Sequence, residues 1–190
     1  MKVSDYRTAG QLSILMAILS LPLFLLAVFT GFLAKTHPEL HIISLILEIV
    51  ISATCVYLLL AKKHLLNSYA NYYALDTIII IFIVLTIMSI TLVLPRLFNL
   101  WSTSIRLAID LIFIIIIGII QIIFGIKLLK CENDLFGYKK VLSYLSIISG
   151  GLLVTVILSP IAMLIEIACD IYFAKIFFAA NLKKNNQLST

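Results

Sequence analysis

Four carboxylates interrupt otherwise apolar stretches of the chain: Glu48, Asp110, Glu166 and Asp170. A charged group at mid-bilayer costs about 2.5–3.5 kcal/mol on insertion scales, so acids in such stretches are the most informative residues. Glu166 and Asp170 stand four residues apart. That spacing puts both on one helix face, where they can exchange a proton or clamp a small cation. Glu48 follows Pro38, and Asp170 follows Pro160, by ten residues, about 15 Å of helix in each case. Similar depths follow if the helices pack alike, and Glu48 is then expected to face the Glu166–Asp170 pair. Asp110 has Arg106 one turn before it and is expected to pair with it near the membrane surface.

The neighbours of these acids extend the pattern. At about 100° per residue, His41, Ser44, Glu48, Ser52 and Cys55 fall within a sector about 80° wide. Arg106, Asp110, Gly118, Gln121 and Gly125 share a sector of about 120°. Ala162, Glu166, Asp170 and Ala174 form an i, i+4 ladder with Cys169 beside it. Lys175 projects about 180° from Glu166 and is not expected as its counter-ion. Two uses compete. The acids can be protonated or hydrogen-bonded packing groups, or they can form a proton- or cation-linked site, because convergent carboxylates repel one another when ionised. The candidate ion-binding set is Glu48, Asp110, Glu166 and Asp170, within a polar stripe that includes Ser44, Ser52 and Gln121.

Other chemistry has no visible carrier. His37, His41 and His64 lie in loops or at expected helix ends, and the chain contains no H-E-x-x-H, G-x-S-x-G or glycine-rich phosphate loop. Cys55 and Cys169 sit in apolar blocks, and Cys131 in a charged loop reads as an ordinary exposed cysteine. No metal site, disulfide framework or cofactor is expected, and the protein is not expected to be an enzyme.

The elements that position the acids follow from composition. Of 190 residues, 63% are hydrophobic and 12% charged, against about 25% charged in an average soluble domain. This argues against soluble enzymes and DNA-binding domains, and the net charge of +5 comes from short basic segments between apolar blocks rather than a nucleic-acid surface. Four blocks approach or exceed the roughly 20 residues needed to cross a bilayer: Gln11–Ala34, His41–Ala61, Thr77–Leu94 and Ile105–Leu128. Val141–Ala180 is forty residues long, about 60 Å as one helix, so it divides at Ser159–Pro160, where proline suits a first helical turn.

The expected fold is all-α: a polytopic membrane protein of six transmembrane helices in three helical hairpins. Residues 1–190 would form a single transmembrane domain, with helices over 11–34, 41–61, 77–94, 105–128, 141–158 and 161–180. With both termini cytoplasmic, eleven Lys and Arg residues fall on that side, counting Lys62 and Lys63 as loop residues, against three outside. The first apolar run, some 24 residues long, exceeds the roughly 7–15 of a signal h-region and reads as a retained helix, with a kink at Pro22.

Small residues mark expected packing faces: Ser13, Ser20, Ala27 and Gly31 on helix one, and Ser143, Ser146, Gly150 and Val154 on helix five. The internal loops echo one another, Lys62-Lys63 before Tyr69, Tyr72 and Tyr73 resembling Lys127 and Lys130 before Phe136 and Tyr138. Abundant Ile, Lys and Asn suit an AT-rich bacterial genome, which makes a bacterial inner membrane the expected location. The tiny loops point first to a structural or accessory membrane protein, stress-associated or part of a larger complex. The carboxylates point to the alternative, a small proton- or cation-linked transporter. The expected partners are the lipid bilayer and a membrane protein or second copy, not nucleic acid.

Overall fold

The computed structural model describes residues 6–33, 39–97 and 103–188. Their regular elements are all helical: α1 Tyr6–Leu33, α2 Glu39–Tyr69, α3 Asp76–Leu97, α4 Thr103–Leu129, α5 Lys139–Val154 and α6 Ser159–Leu188, with one 3-10 turn at Leu135–Gly137. Pro22 lies inside α1 without ending it, and Pro160 occupies the first turn of α6, where its missing N–H has no intrahelical partner to lose. α5 stops four residues short of the expected boundary at 158. The chain then turns through Thr155–Leu158 with Val156 at φ 59°, a conformation that costs a β-branched residue about 1–2 kcal/mol.

The helices follow one another around a ring. Each packs on the next from α1 to α6, and α6 closes back on α1. The α4–α5 and α1–α6 seams are the broadest, whereas α3 and α4 touch only narrowly. The three expected hairpin pairs, α1–α2, α3–α4 and α5–α6, all touch, but the broader α4–α5 and α1–α6 seams join them into the ring, and the reason is the placement of small residues. A Cβ added at Gly150 would stand 2.5 Å from the Gly118 carbonyl oxygen, and one at Gly125 would stand 2.6 Å from that of Ser143. Gly118 and Gly125 are seven residues apart on α4, matched in reverse order by Ser143 and Gly150 on α5, the heptad register of an antiparallel pair. α3 carries no glycine and cannot approach α4 in this way.

On the α1–α6 seam a Cβ at Gly10 would come within 2.9 Å of the Phe178 ring. Ser13 is fully buried, and the Ser20 hydroxyl donates to the Met16 carbonyl at 2.6 Å. The packing of Ala27 and Gly31, the rest of that expected stripe, lies outside what is described.

One end of the ring is tied by polar and aromatic contacts. Tyr6 Oη lies 2.9 Å from His64 Nδ1 and 3.0 Å from Ser68 Oγ. Lys63 pairs with Asp76 at 3.4 Å. The two segments that echo each other in sequence pack together: Tyr69 stacks on Phe136 at 4.7 Å, and Tyr72 donates to the Lys127 carbonyl at 2.7 Å. Leu135 and Phe136 adopt φ of 47° and 61°, and their strain is offset by full burial of Leu135 and by the Phe136 stack. Cys131 is not exposed as expected but buried, beneath Lys139, which donates to its carbonyl at 2.7 Å.

Among the described residues one segment, Leu107–Leu129, is long and apolar enough to cross a membrane, with a mean hydropathy of 2.9 and only 11% of it buried. A helix in the core of a soluble protein would be mostly buried, which this one is not. The other expected spans do not pass the same test. α2 and α6 carry charges within their apolar runs, α5 has only 16 residues, and parts of α1 and α3 lie outside the described side chains.

Candidate functional site

The interior of the ring holds a cavity of about 300 Å³ to which all six helices contribute. Its polar groups come from five of them. Glu166 and Asp170 come from α6, Lys62 from α2, Gln121 from α4 and Ser146 from α5, with Met16 of α1 and Phe82 and Thr86 of α3 completing the wall.

The spacing read from the sequence positions the first two. Four residues apart on α6, Glu166 and Asp170 both face the cavity. Glu166 is held by donors from two other helices: Ser149 Oγ of α5 donates to its Oε1 at 2.5 Å, and Gln121 Nε2 of α4 donates to the same oxygen. The glycine seam makes this reach possible. Gln121 lies between Gly118 and Gly125 on one face of α4, so the close backbone approach to α5 brings the amide and the Ser149 hydroxyl to one place.

Asp170 has a different partner. Its Oδ1 lies 3.6 Å from Lys62 Nζ, with the two side chains 20% and 16% exposed. The same ammonium sits 4.0 Å from the centre of the Phe173 ring, within range of a cation–π contact. Lys175 points elsewhere, over the rings of Tyr138 and Tyr172 at 5.8 and 5.2 Å.

Lys62 is the residue the sequence reading misplaced. Ending helix two at Ala61 makes it a loop charge, whereas α2 continues two turns further to Tyr69. The signal was present, because Lys62 lies seven residues beyond Cys55 and so on the same helix face. Ser149 was missed beside Ser146 and Gly150, whose spacing suggested packing alone.

The remaining candidates separate from the site. Glu48 does not line the cavity. It lies four turns before Lys62 on α2, and the cavity begins with Cys55 on that helix, so Lys62 rather than Glu48 faces the α6 acids. Asp110 is half-buried near the start of α4 and is likewise absent from the wall; the side chain of its expected partner Arg106 lies outside the described residues. Ser52 is buried on α2 away from the cavity, and the Ser44 side chain lies outside the described residues. Among the described residues no three His, Cys, Asp or Glu side chains gather as metal ligands. The arrangement can hold a small charged molecule against apolar and aromatic walls, and can exchange a proton through Glu166 or Asp170.

No protein-family model matches the chain, and no curated protein or solved structure does so either.

Proposed function

We propose that the chain is a six-span membrane protein with both termini on the cytoplasmic side, and that it works as a small proton- or cation-linked transporter. The observation that carries the transport reading is the cavity lined by all six helices, in which Glu166, Asp170 and Lys62 meet. A packing role needs hydrogen-bonded acids but no open space between them.

The membrane reading is supported by the outer surface. α4 alone exposes Leu107, Ile112, Ile116, Ile119, Ile123 and Ile126, and α3 exposes Ile80, Ile81, Val84, Ile87 and Met88. Soluble monomers rarely expose large apolar patches, whereas lipid is the natural solvent for rows of exposed Ile, Leu and Val such as these. α1, α2, α4 and α6 have 28, 31, 27 and 30 residues, each longer than the roughly 30 Å of hydrocarbon at about 1.5 Å per residue. α3, with 22 residues, also reaches it. α5 has 16 residues and reaches only about 24 Å, so the turn Val156-Ile157-Leu158 that follows reaches the outer interface where the bilayer thins around it. The excess of lysine on the cytoplasmic side survives the removal of Lys62 from the count. A bacterial inner membrane remains the proposed location.

The test is reconstitution into liposomes with an imposed proton or cation gradient and a panel of small ions on the opposite side. Flux in the wild type that is lost in Glu166→Gln and Asp170→Asn, with insertion unchanged, supports transport through the cavity. Wild-type vesicles no faster than empty ones overturn it in favour of the structural or accessory role, for which capture of a constant membrane partner is the measurement.

A further inference from the structure

The cavity has an unequal balance of charge and chemistry. Two carboxylates, Glu166 and Asp170, face one ammonium, Lys62. Lys62 is already placed, against Asp170 at 3.6 Å and over Phe173 at 4.0 Å. Glu166 receives both of its donors, from Gln121 and Ser149, on Oε1, which leaves Oε2 for a ligand. Phe82 and Phe124 line the same cavity, and their rings meet edge to face at a centroid distance of 6.4 Å.

We propose that this cavity binds a monovalent organic cation with an apolar body, its charged nitrogen beside Glu166 and its body against Phe82 and Phe124; the proposal rests on reading the cavity as a ligand site. The contact of Lys62 with Phe173 shows that the wall accepts a cation on an aromatic face. An anion entering the same space meets the excess carboxylate. Calcium or magnesium requires about six or more oxygen ligands, whereas one of the two carboxylates of this wall already holds Lys62, and among the described residues no three His, Cys, Asp or Glu side chains gather as ligands for a softer metal. The volume, about 300 Å³, equals roughly ten water molecules at about 30 Å³ each, which suits an ion the size of benzyltrimethylammonium.

The experiment is equilibrium dialysis of the purified full chain in lipid nanodiscs against benzyltrimethylammonium, with phenylmethanesulfonate as an anion of the same body and magnesium as an inorganic cation. Saturable binding of the ammonium compound alone is expected, weakened about tenfold or more by Glu166→Gln and about threefold to tenfold by Phe124→Leu. If Glu166→Gln fails to fold, the charge preference of the wild type and the Phe124→Leu and Phe82→Leu variants decide. No saturable binding by the wild type, preference for the sulfonate or magnesium, or unchanged affinity in all these variants overturns the proposal. Dialysis requires no flux. Charge-selective binding without transport therefore removes the transport reading and leaves the ligand class standing, and transport of inorganic ions without this binding does the reverse.

Discussion

Lys62 Nζ lies 3.6 Å from Asp170 Oδ1, although α2 and α6 make only a narrow contact with each other. The pair therefore bridges two sides of the ring rather than decorating an existing seam. Removing one partner of a sequestered pair leaves the other charge uncompensated, which costs about 3–5 kcal/mol when burial is complete. Here both side chains keep some exposure, so about 1–3 kcal/mol is expected for Lys62→Met or Asp170→Asn alone. The double variant should be more stable than the sum of the two losses predicts, by about 0.5–3 kcal/mol. Unfolding in detergent of the wild type, both single variants and the double variant measures this coupling; additive losses would show that the pair does not hold α2 to α6.

The α4–α5 seam predicts a graded series at its glycines. A methyl group at Gly118, Gly125 or Gly150 meets a backbone carbonyl oxygen of the opposite helix at 2.8, 2.6 or 2.5 Å. Backbone atoms cannot rotate away, so each Gly→Ala substitution should destabilise by about 1–3 kcal/mol. Because Gln121 lies on the same face, Gly118→Ala should also loosen its bond to Glu166. Gly151 has no atom within 4 Å of the same position, so Gly151→Ala should be neutral or stabilising by up to about 1 kcal/mol through its higher helix propensity. Thermal unfolding of the four variants checks the order. A Gly151→Ala loss equal to the others would point to a general intolerance of α4 and α5 rather than to close approach.

Cys131 predicts a dependence on pH. Burial pushes its thiol up from the ordinary value, against the opposing influence of the Asn133 backbone N–H and Lys139. The folded chain therefore keeps this proton at pH values where the unfolded chain, titrating near the usual thiol range of about 8.5, has lost it. With fewer protons bound in the unfolded state, stability falls as pH rises through that range. Cys131→Ala should lose less stability than the wild type between about pH 8 and 10. The same burial should make Cys131 slow to react with maleimide until the protein is unfolded. Rapid labelling of Cys131 in the folded protein would contradict the buried position.

What could be read from the chain, and what could not, follows from the range of each signal. The pairing of Glu166 with Asp170 on one face is local, set by helical spacing, and the structure places both at the cavity. The small-residue face of α5 was legible for the same reason. Lys62 was lost because hydropathy ends a helix at the first charge, whereas α2 is carried past it by Asp170 and the Phe173 ring, groups more than a hundred residues away in sequence. Glu48 lies outside the cavity wall, and equal distance from a proline fixes depth only if the helices pack alike, which spacing in the sequence does not reveal. The closure of α6 on α1 could not be read from the chain at all, since sequence periodicity identifies a face but not its partner.

Where the two ends of the chain lie decides whether the number of membrane crossings is odd or even, and so separates one crossing from six. If Leu107–Leu129, the one segment whose apolar length among the described residues suffices by itself, were the sole span, the N- and C-termini would lie on opposite sides of the membrane. The proposed six crossings would put them on the same side, and the proposal, from the distribution of lysine, is that this side is cytoplasmic. Green fluorescent protein and alkaline phosphatase fused in turn to each terminus in a bacterial host distinguish these outcomes, because the first fluoresces only inside and the second is active only outside. Fluorescence from both ends is expected, together with phosphatase activity from a fusion after Ile157 in the α5–α6 turn. Activity from one terminus would remove the six-span arrangement. Fluorescence rather than phosphatase activity from the Ile157 fusion would mean that the short α5 does not bring its turn to the outer side, and that the ring opens differently from the way the charge distribution implies.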